Sequence, residues 1–178
     1  MKIEGAWVHI PLRREDERGH FEEQFKLTQI ENELGRLFNV KQVNQSVSSR
    51  GVIRGIHATI SDEGQAKYVS CPRGSLLDIV VDLREESSTY GQWDAVEISS
   101  ENGLSVLISE GLGHAFLSLE DGTVATYLCT SEYNPSAEKT YNPLTSSLGI
   151  FVKAEAEKAG ISKLILSEKD QSAVTLPF

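Results

Sequence analysis

Residues 40–128 follow a strand-like pattern, in which short runs rich in Val, Ile and Tyr are separated by turn signals. About eight such runs follow one another at short spacing, which is typical of a double-sheet jelly roll or a related barrel. The pattern therefore predicts a mostly β fold, a jelly-roll barrel with a few short helices. The turn signals lie at residues 49–51, 62–64, 72–74, 101–103, 110–111 and 121–122.

Shorter elements are predicted on either side of this region. Strand patterns cover residues 6–10 and 20–25, and residues 27–37 carry apolar side chains at helical spacing, with Thr28 as the expected N-cap. A second short helix is expected at residues 153–160.

The domain organisation follows from what is missing between these elements. No repeat, linker or change of composition divides the chain. We therefore expect a single domain over residues 1–178. Its jelly-roll core lies at about residues 40–130, and the N-terminal strands and the C-terminal tail pack on that core.

The predicted strands contain more polar side chains than strands that only form an apolar core. Alternate residues share one face of a strand, and three strands place polar groups on one such face. A barrel with this inward face would hold a polar ligand; the alternative is that these faces are exposed to solvent. The three sets are residues 40, 42, 44 and 46; residues 78, 80 and 82; and residues 123, 125, 127 and 129.

Arg54 and His57 conflict with this regular alternation. They are three residues apart, so an ideal strand would point them to opposite faces. Both reach one cavity only if the strand bulges between them, and Gly55 is a suitable position.

Composition and charge narrow the function classes. The net charge of −9 and the absence of a Lys/Arg-rich run argue against a nucleic-acid partner. The first residues lack the apolar core of a signal peptide and no apolar run is long enough for a membrane span, so we expect a cytoplasmic protein. Cys71 and Cys129 lie far apart without a CxxC motif, which favours reduced thiols in strands.

His57 is the strongest candidate for a catalytic residue. A single histidine in a strand is often structural, but this one is followed by Lys67 and by strand aspartates, and an imidazole suits a general base. The metal-binding alternative requires a second ligand two residues on, where Ala58 is followed by Thr59 rather than histidine. We therefore expect no metal site. Serine-hydrolase, kinase and dehydrogenase motifs are missing as well.

Several ordered blocks give the chain a family resemblance. It resembles the dTDP-4-dehydrorhamnose 3,5-epimerases, cupin-like enzymes that act on dTDP-4-keto-6-deoxy sugars, and the resemblance covers nearly the whole chain. The blocks are DERGHFEE at 16–23, QVNQSVSSRGVIRGIH at 42–57, QAKYV at 65–69, DIVVDLR at 78–84, STYGQW at 88–93, SEGLGHAF at 109–116, YLCTSEYNP at 127–135 and LSEKD at 166–170.

The resemblance implies a role for each matching residue. His57 corresponds to the base that abstracts a proton and Asp170 to its dyad partner. Tyr127 corresponds to the acid on the opposite face, and Lys67 to the group that stabilises the enolate. Tyr133 corresponds to the aromatic residue that stacks on thymine. The other positions that match the nucleotide-sugar site are Arg18, Glu23, Gln42, Asn44, Arg54, His114, Glu138 and Lys169.

The implied reaction is the inversion of C3 and C5 of dTDP-4-keto-6-deoxyglucose, which gives dTDP-4-dehydro-L-rhamnose without a metal or other cofactor. The resemblance also implies a homodimer with exchanged N-terminal strands, so that Arg18 and Glu23 serve the site of the partner. Structural roles remain the alternative for Lys67, Tyr133 and His114.

Departures from the family pattern keep other functions open. Ala58 and Thr59 replace an aromatic residue and glutamine, Ala115 stands where many members have glycine, and KTYNPL at 139–144 replaces an acidic segment that contains tryptophan. A mono-epimerase acting at C3 or C5 alone is the first alternative. A non-catalytic nucleotide-sugar binding protein and a metal-dependent cupin are the others.

Overall fold

Two five-stranded antiparallel sheets lie face to face in the computed structural model, which describes residues 1–61 and 63–178. A two-stranded hairpin and three helices lie outside them in this part of the chain. The strands are β1 (Ala6–His9), β2 (Arg13–Asp16), β3 (Gly19–Glu22), β4 (Gln42–Ser48), β5 (Ile53–Thr59), β6 (Lys67–Arg73), β7 (Ser75–Asp82), β8 (Trp93–Ser99), β9 (Ser105–Ile108), β10 (Leu112–Ser118), β11 (Thr123–Cys129) and β12 (Glu138–Thr140). The helices are α1 (Leu27–Leu34), α2 (Ser146–Lys158) and α3 (Glu168–Ser172).

Strands distant in sequence are neighbours in both sheets. The first sheet has the order β1-β9-β6-β11-β4, the second has the order β12-β5-β10-β7-β8, and β2 pairs with β3 in the hairpin. Strands β4 to β11 supply the eight strands expected between residues 40 and 129. The predicted mostly β, cupin-like jelly roll is confirmed.

The apolar core has three parts. One part fills the space between the sheets with residues such as Val69, Val80 and Val106. A second covers the outer face of the second sheet, where α2 packs, and a third lies under α1 on the first sheet. Hydrophobic burial on both outer faces therefore fixes the sheets and leaves their inner faces to form a cavity at one end.

Both predicted helices need correction at their ends. Helix α1 ends at Leu34 rather than at residue 37, because Gly35 adopts a left-handed φ of 69°, and its N-cap is Lys26 rather than Thr28. Helix α2 begins at Ser146, seven residues before the predicted start. Its buried face extends from Leu148 to Ala156, because it packs on the second sheet.

The predicted alternation is visible in β4. Gln42, Asn44 and Ser46 point inward and are half-buried, whereas Val43 and Val47 are 58% and 60% exposed on the outer face. The polar inner face is therefore not the solvent-exposed face of this strand.

The predicted bulge is present in β5. His57 is paired with His114 of β10 and Arg54 with Phe116, so three steps along β5 match two along β10. Gly55 lies inside this irregularity with a φ of 104°, and a Cβ there would meet the carbonyl oxygen of His114. Arg54 and His57 consequently share the inner face.

Two smaller expectations concern the cysteines and the membrane. Cys71 and Cys129 are free, buried thiols in β6 and β11, as predicted. Across residues 1–61 and 63–178, no helix is both long enough and apolar enough to cross a membrane.

Replacement of Gly55 by alanine tests the bulge. We expect Gly55→Ala to lower the free energy of unfolding by about 3 kcal/mol, because the Cβ would lie 2.8 Å from the Cα of Ala115 and the positive φ is strained. Gly35→Ala is the matched control, with a positive φ but open space around it, and should cost about 1 kcal/mol. Urea unfolding of both variants checks this, and equal losses would contradict a steric role for Gly55.

Candidate active site

A cavity of about 470 Å³ opens between the inner faces of the two sheets. Strands β5 and β10 supply one wall, β4, β6 and β11 the opposite wall, and the segment that leads into α3 closes a third side. Its lining residues are Ser46, Val52, Ile53, Arg54, His57, Lys67, His114, Phe116, Tyr127, Ile165, Leu166, Ser167, Lys169 and Asp170.

A histidine–carboxylate dyad stands on the wall formed by the second sheet. The Nε2 of His57 donates to the Oδ1 of Asp170 at 2.7 Å, across 113 residues of sequence. Burial alone would raise the pKa of Asp170. The hydrogen bonds with His57 and Ser167 and the charge of His57 outweigh it, so the pKa of Asp170 lies below its usual range. The carboxylate is therefore ionised and holds the ring of His57.

Local structure fixes Asp170 in the first turn of α3. The hydroxyl of Ser167 caps this helix by accepting from the backbone N–H of Asp170 at 3.1 Å. The side chain of Asn142 donates to the carbonyl of Gln171 at 2.8 Å, and so connects α3 to the chain that follows β12. Both contacts hold the carboxylate at the edge of the cavity.

Lys67 and Tyr127 stand on the opposite wall, on β6 and β11 of the first sheet. Burial lowers the pKa of the Lys67 ammonium, although nearby Cys129 acts in the opposite direction. Burial raises the pKa of the Tyr127 phenol, and the charge of Arg54 offsets part of that rise. The phenol therefore keeps its proton near neutral pH, facing the dyad across the cavity.

Three of the predicted binding residues also line the cavity, namely Arg54, His114 and Lys169. Arg54 donates to the hydroxyl of Ser48 at 3.1 Å and to the carbonyl of Val47 at 3.2 Å, which positions its guanidinium beside β4. The charges of Arg54 and Lys169 give an acidic chain a local site for an anion.

Four further predicted residues form a hydrogen-bonded group beside the cavity. Gln42 donates to Asn44 at 2.6 Å and accepts from the backbone N–H of Tyr133 at 2.8 Å. The phenol of Tyr133 contacts Glu138 at 3.4 Å, and Glu138 forms an ion pair with Lys169. The group therefore connects β4 with α3, and the ring of Tyr133 is 57% exposed.

Arg18 and Glu23 are not brought to this cavity. Arg18 lies in the turn between β2 and β3 and forms an exposed ion pair with Asp16 at 2.5 Å. Glu23 pairs with Lys26 at 2.5 Å. Within the chain, the cavity is therefore formed without these two residues.

Sequence reasoning missed the apolar part of the lining. Val52 and Ile165 meet in a parallel bridge between distant segments, and Phe116 of β10 is a further apolar residue of the lining. No local pattern predicts this bridge. Ser46 was detectable, because it shares a strand face with Gln42 and Asn44.

Within residues 1–61 and 63–178, no group of three His, Cys, Asp or Glu side chains is placed to hold a metal ion.

Comparisons with known proteins identify related sequences and structures. The family model described as dTDP-4-dehydrorhamnose 3,5-epimerase matches residues 1–177. A dTDP-4-dehydrorhamnose 3,5-epimerase of Mycolicibacterium smegmatis is 44% identical over 176 residues, which is 99% of this chain and 84% of that protein. A dTDP-4-dehydro-6-deoxyglucose 3-epimerase of a Streptomyces species is 43% identical over 176 residues, 99% of this chain and 87% of that protein.

A solved structure shows the same fold. ChmJ, a 3′-monoepimerase from Streptomyces bikiniensis in complex with dTDP-quinovose, superposes with a TM-score of 0.89 at 42% identity, over 98% of this chain and 85% of that one. The full-length family match, the relatives and the cupin-like fold confirm the resemblance read from the sequence. The chain belongs to the dTDP-4-dehydrorhamnose 3,5-epimerase family and is an epimerase of dTDP-4-keto-6-deoxy sugars.

Proposed function

We propose that this protein inverts both C3 and C5 of dTDP-4-keto-6-deoxyglucose and so forms dTDP-4-dehydro-L-rhamnose. One observation carries the proposal: the His57–Asp170 dyad and the Tyr127 phenol stand on opposite walls of one cavity. Inversion of a carbon needs a base on one face of the sugar and a proton donor on the other.

Proton removal is assigned to His57. The C4 ketone acidifies the hydrogens on C3 and C5, because the resulting carbanion is delocalised onto the ketone oxygen. Because the Nε2–H of His57 donates a hydrogen bond to Asp170, the other ring nitrogen, Nδ1, is the base. Lys67 lines the same cavity and stabilises the charge that develops on the ketone oxygen.

Reprotonation is assigned to Tyr127. Because burial raises its pKa, the phenol is a weak acid, but it remains protonated and available near neutral pH. The basic enolate carbon draws this proton from the face opposite His57. No step in this sequence requires a cofactor.

Nucleotide binding is assigned to the remaining residues. Arg54 and Lys169 line the cavity and are the two cations that can pair with the diphosphate, while His114 lines the same cavity. The exposed ring of Tyr133 is free to stack on thymine, next to Gln42, Asn44 and Glu138.

A mono-epimerase is the second candidate. The 3,5-epimerase and the 3-epimerase relatives are 44% and 43% identical to this chain over the same 176 residues. Overall similarity therefore favours neither activity. The dyad, the phenol and the ammonium would serve one carbon or two.

We also propose a homodimer in which the β2–β3 hairpin enters the site of the partner. Arg18 is exposed and lies away from its own cavity, and Phe21 of the same hairpin is 65% exposed. Such an apolar side chain beside a cation suits a surface that becomes buried in an assembly. Glu23 lies directly after the hairpin in the chain and would enter the site of the partner together with it.

Proton exchange in heavy water separates the two epimerase candidates. We expect incubation with dTDP-4-keto-6-deoxyglucose to place deuterium at both C3 and C5, because one base reaches both acidic hydrogens. Mass and proton spectra of the sugar provide the measurement. Deuterium at one carbon alone would contradict the 3,5-epimerase and support a mono-epimerase, while no deuterium would contradict both for this sugar.

Removal of the base tests its assignment. We expect His57→Ala to abolish exchange at both carbons, because Nδ1 is lost, while calorimetry shows nearly unchanged affinity for dTDP. His9→Gln is the control, since His9 is a buried histidine bonded to Gln29 outside the cavity, and exchange should persist. Loss of dTDP binding in the His57 variant would indicate a structural histidine instead.

Removal of the phenol separates reprotonation from abstraction. We expect Tyr127→Phe to reduce net inversion by about 100-fold or more while exchange falls much less, because general-acid catalysis is lost and the base is retained. Tyr68→Phe is the control, a buried tyrosine of β6 outside the cavity that bonds the carbonyl of Gln24. Equal losses of inversion and exchange in the Tyr127 variant would contradict the assignment.

Mixing two inactive variants tests the exchanged hairpin. Arg18→Ala and His57→Ala should each have low activity as homodimers, and co-refolding should restore about a quarter of wild-type activity. The gain arises because half of the dimers are mixed and each contains one complete site. If Arg18 served its own subunit, or if the protein were a monomer by light scattering, mixing would restore nothing.

A further inference from the structure

A second histidine–carboxylate pair lies beside the dyad. The Nε2 of His114 donates to the Oδ2 of Asp78 at 2.7 Å. His114 is paired with His57 across β10 and β5, so the two rings stand on neighbouring strands, and both line the cavity. Nothing in the proposed reaction uses Asp78.

Burial of the Asp78 carboxylate at this position is energetically unfavourable. It has no exposed surface, and its Oδ1 has no hydrogen-bond partner among the described residues. Its cross-strand partners are Phe116 and Val96, which belong to the apolar layer between the sheets. Because an apolar residue here would complete that layer, stability does not explain the carboxylate.

The direction of the hydrogen bond between His114 and Asp78 explains the carboxylate better. An ionised carboxylate only accepts hydrogen bonds, so it keeps the single proton of a neutral imidazole on Nε2. The other ring nitrogen, Nδ1, then has a free lone pair. Only Nε2 of this ring is hydrogen-bonded to a described residue, and His114 lines the cavity, so Nδ1 is left to accept a hydrogen bond from a ligand there.

We infer that Asp78 is a positioning residue, which fixes His114 in the Nε2–H tautomer so that Nδ1 accepts a hydrogen bond from a sugar hydroxyl of the substrate. Phosphate oxygens are acceptors as well and would be repelled by this lone pair, whereas Arg54 and Lys169 are donors that suit them. His114 therefore recognises the sugar and not the diphosphate. The inference rests on the proposed binding of a dTDP-sugar in this cavity.

Nitrogen NMR of ¹⁵N-histidine-labelled wild-type protein tests the tautomer without any variant of Asp78. The chain has four histidines, and His114→Gln assigns the signals of His114. For the free protein we expect a protonated Nε2 and an unprotonated Nδ1. A protonated Nδ1 would overturn the inference.

Two ligands then identify the group that is recognised. dTDP-glucose carries sugar hydroxyls but no ketone, so it is not epimerised; it should move the Nδ1 signal to that of a hydrogen-bonded acceptor, whereas dTDP should leave it unchanged. A shift with dTDP, or none with bound dTDP-glucose, would overturn the sugar contact. If neither ligand bound, the proposed function would be overturned, together with the ligand named here, while the tautomer would still be decided in the free protein.

Asp78→Asn tests the positioning role. An amide both donates and accepts, so we expect a mixture of the two His114 tautomers and about tenfold weaker binding of dTDP-glucose, with dTDP affinity within about twofold of wild type. Asp82→Asn is the matched control: it alters another buried carboxylate of β7, which bonds Arg84, Ser87 and Thr89 instead. That variant should lower thermal stability without changing the tautomer or the ligand preference. Unchanged tautomer and affinities in folded Asp78→Asn would contradict the role.

Discussion

The bulge at Gly55 is the constraint on which the site depends. A regular β5 would turn either Arg54 or His57 toward the outer apolar layer, where a charged or titratable group is costly to bury. The extra residue places both side chains on the inner face and keeps Ile53 and Ile56 in the outer core. A glycine is required because the backbone adopts a positive φ while it lies against β10. One irregular step thus reconciles the packing of the second sheet with the chemistry of the cavity.

Charge in the cavity is organised by pairing. The chain carries a net charge of −9, yet the site must receive an anionic nucleotide sugar. Two carboxylates, Asp78 inside the apolar layer and Asp170 at the edge of the cavity, each accept from a histidine ring, and Glu138 is paired with Lys169. Positive groups therefore face the ligand while the negative groups are held behind them or at the edge, so that local geometry overrides the global charge.

Whether a feature can be predicted from the sequence depends on how far apart in the chain the residues that form it lie. The strand faces of Gln42 and Asn44 follow from the two-residue repeat, and the bulge follows from Arg54, Gly55 and His57 alone, so both were predictable. The end of α1 was not, because the left-handed turn at Gly35 outweighed the apolar periodicity that continues to residue 37. The partnership of His57 with Asp170 came only from the family resemblance, since no periodicity relates residues 113 apart. The bridge between residues 52 and 165 was predicted neither by a local pattern nor by the family resemblance.

That unpredicted bridge bears on the choice between one inverted carbon and two. In the proposed mechanism, a single base and a single acid on opposite walls invert whichever carbon the sugar ring presents between them, so the catalytic groups are the same for both outcomes. The outcome must then depend on how the ring is held. The apolar lining residues, among them Val52, Ile165 and Phe116, can orient the ring without donating or accepting a hydrogen bond. This lining is built from tertiary contacts between distant segments. On the proposed mechanism, the motifs around His57 and Tyr127 therefore account for the type of reaction, while the number of inverted carbons depends on packing that these motifs do not include.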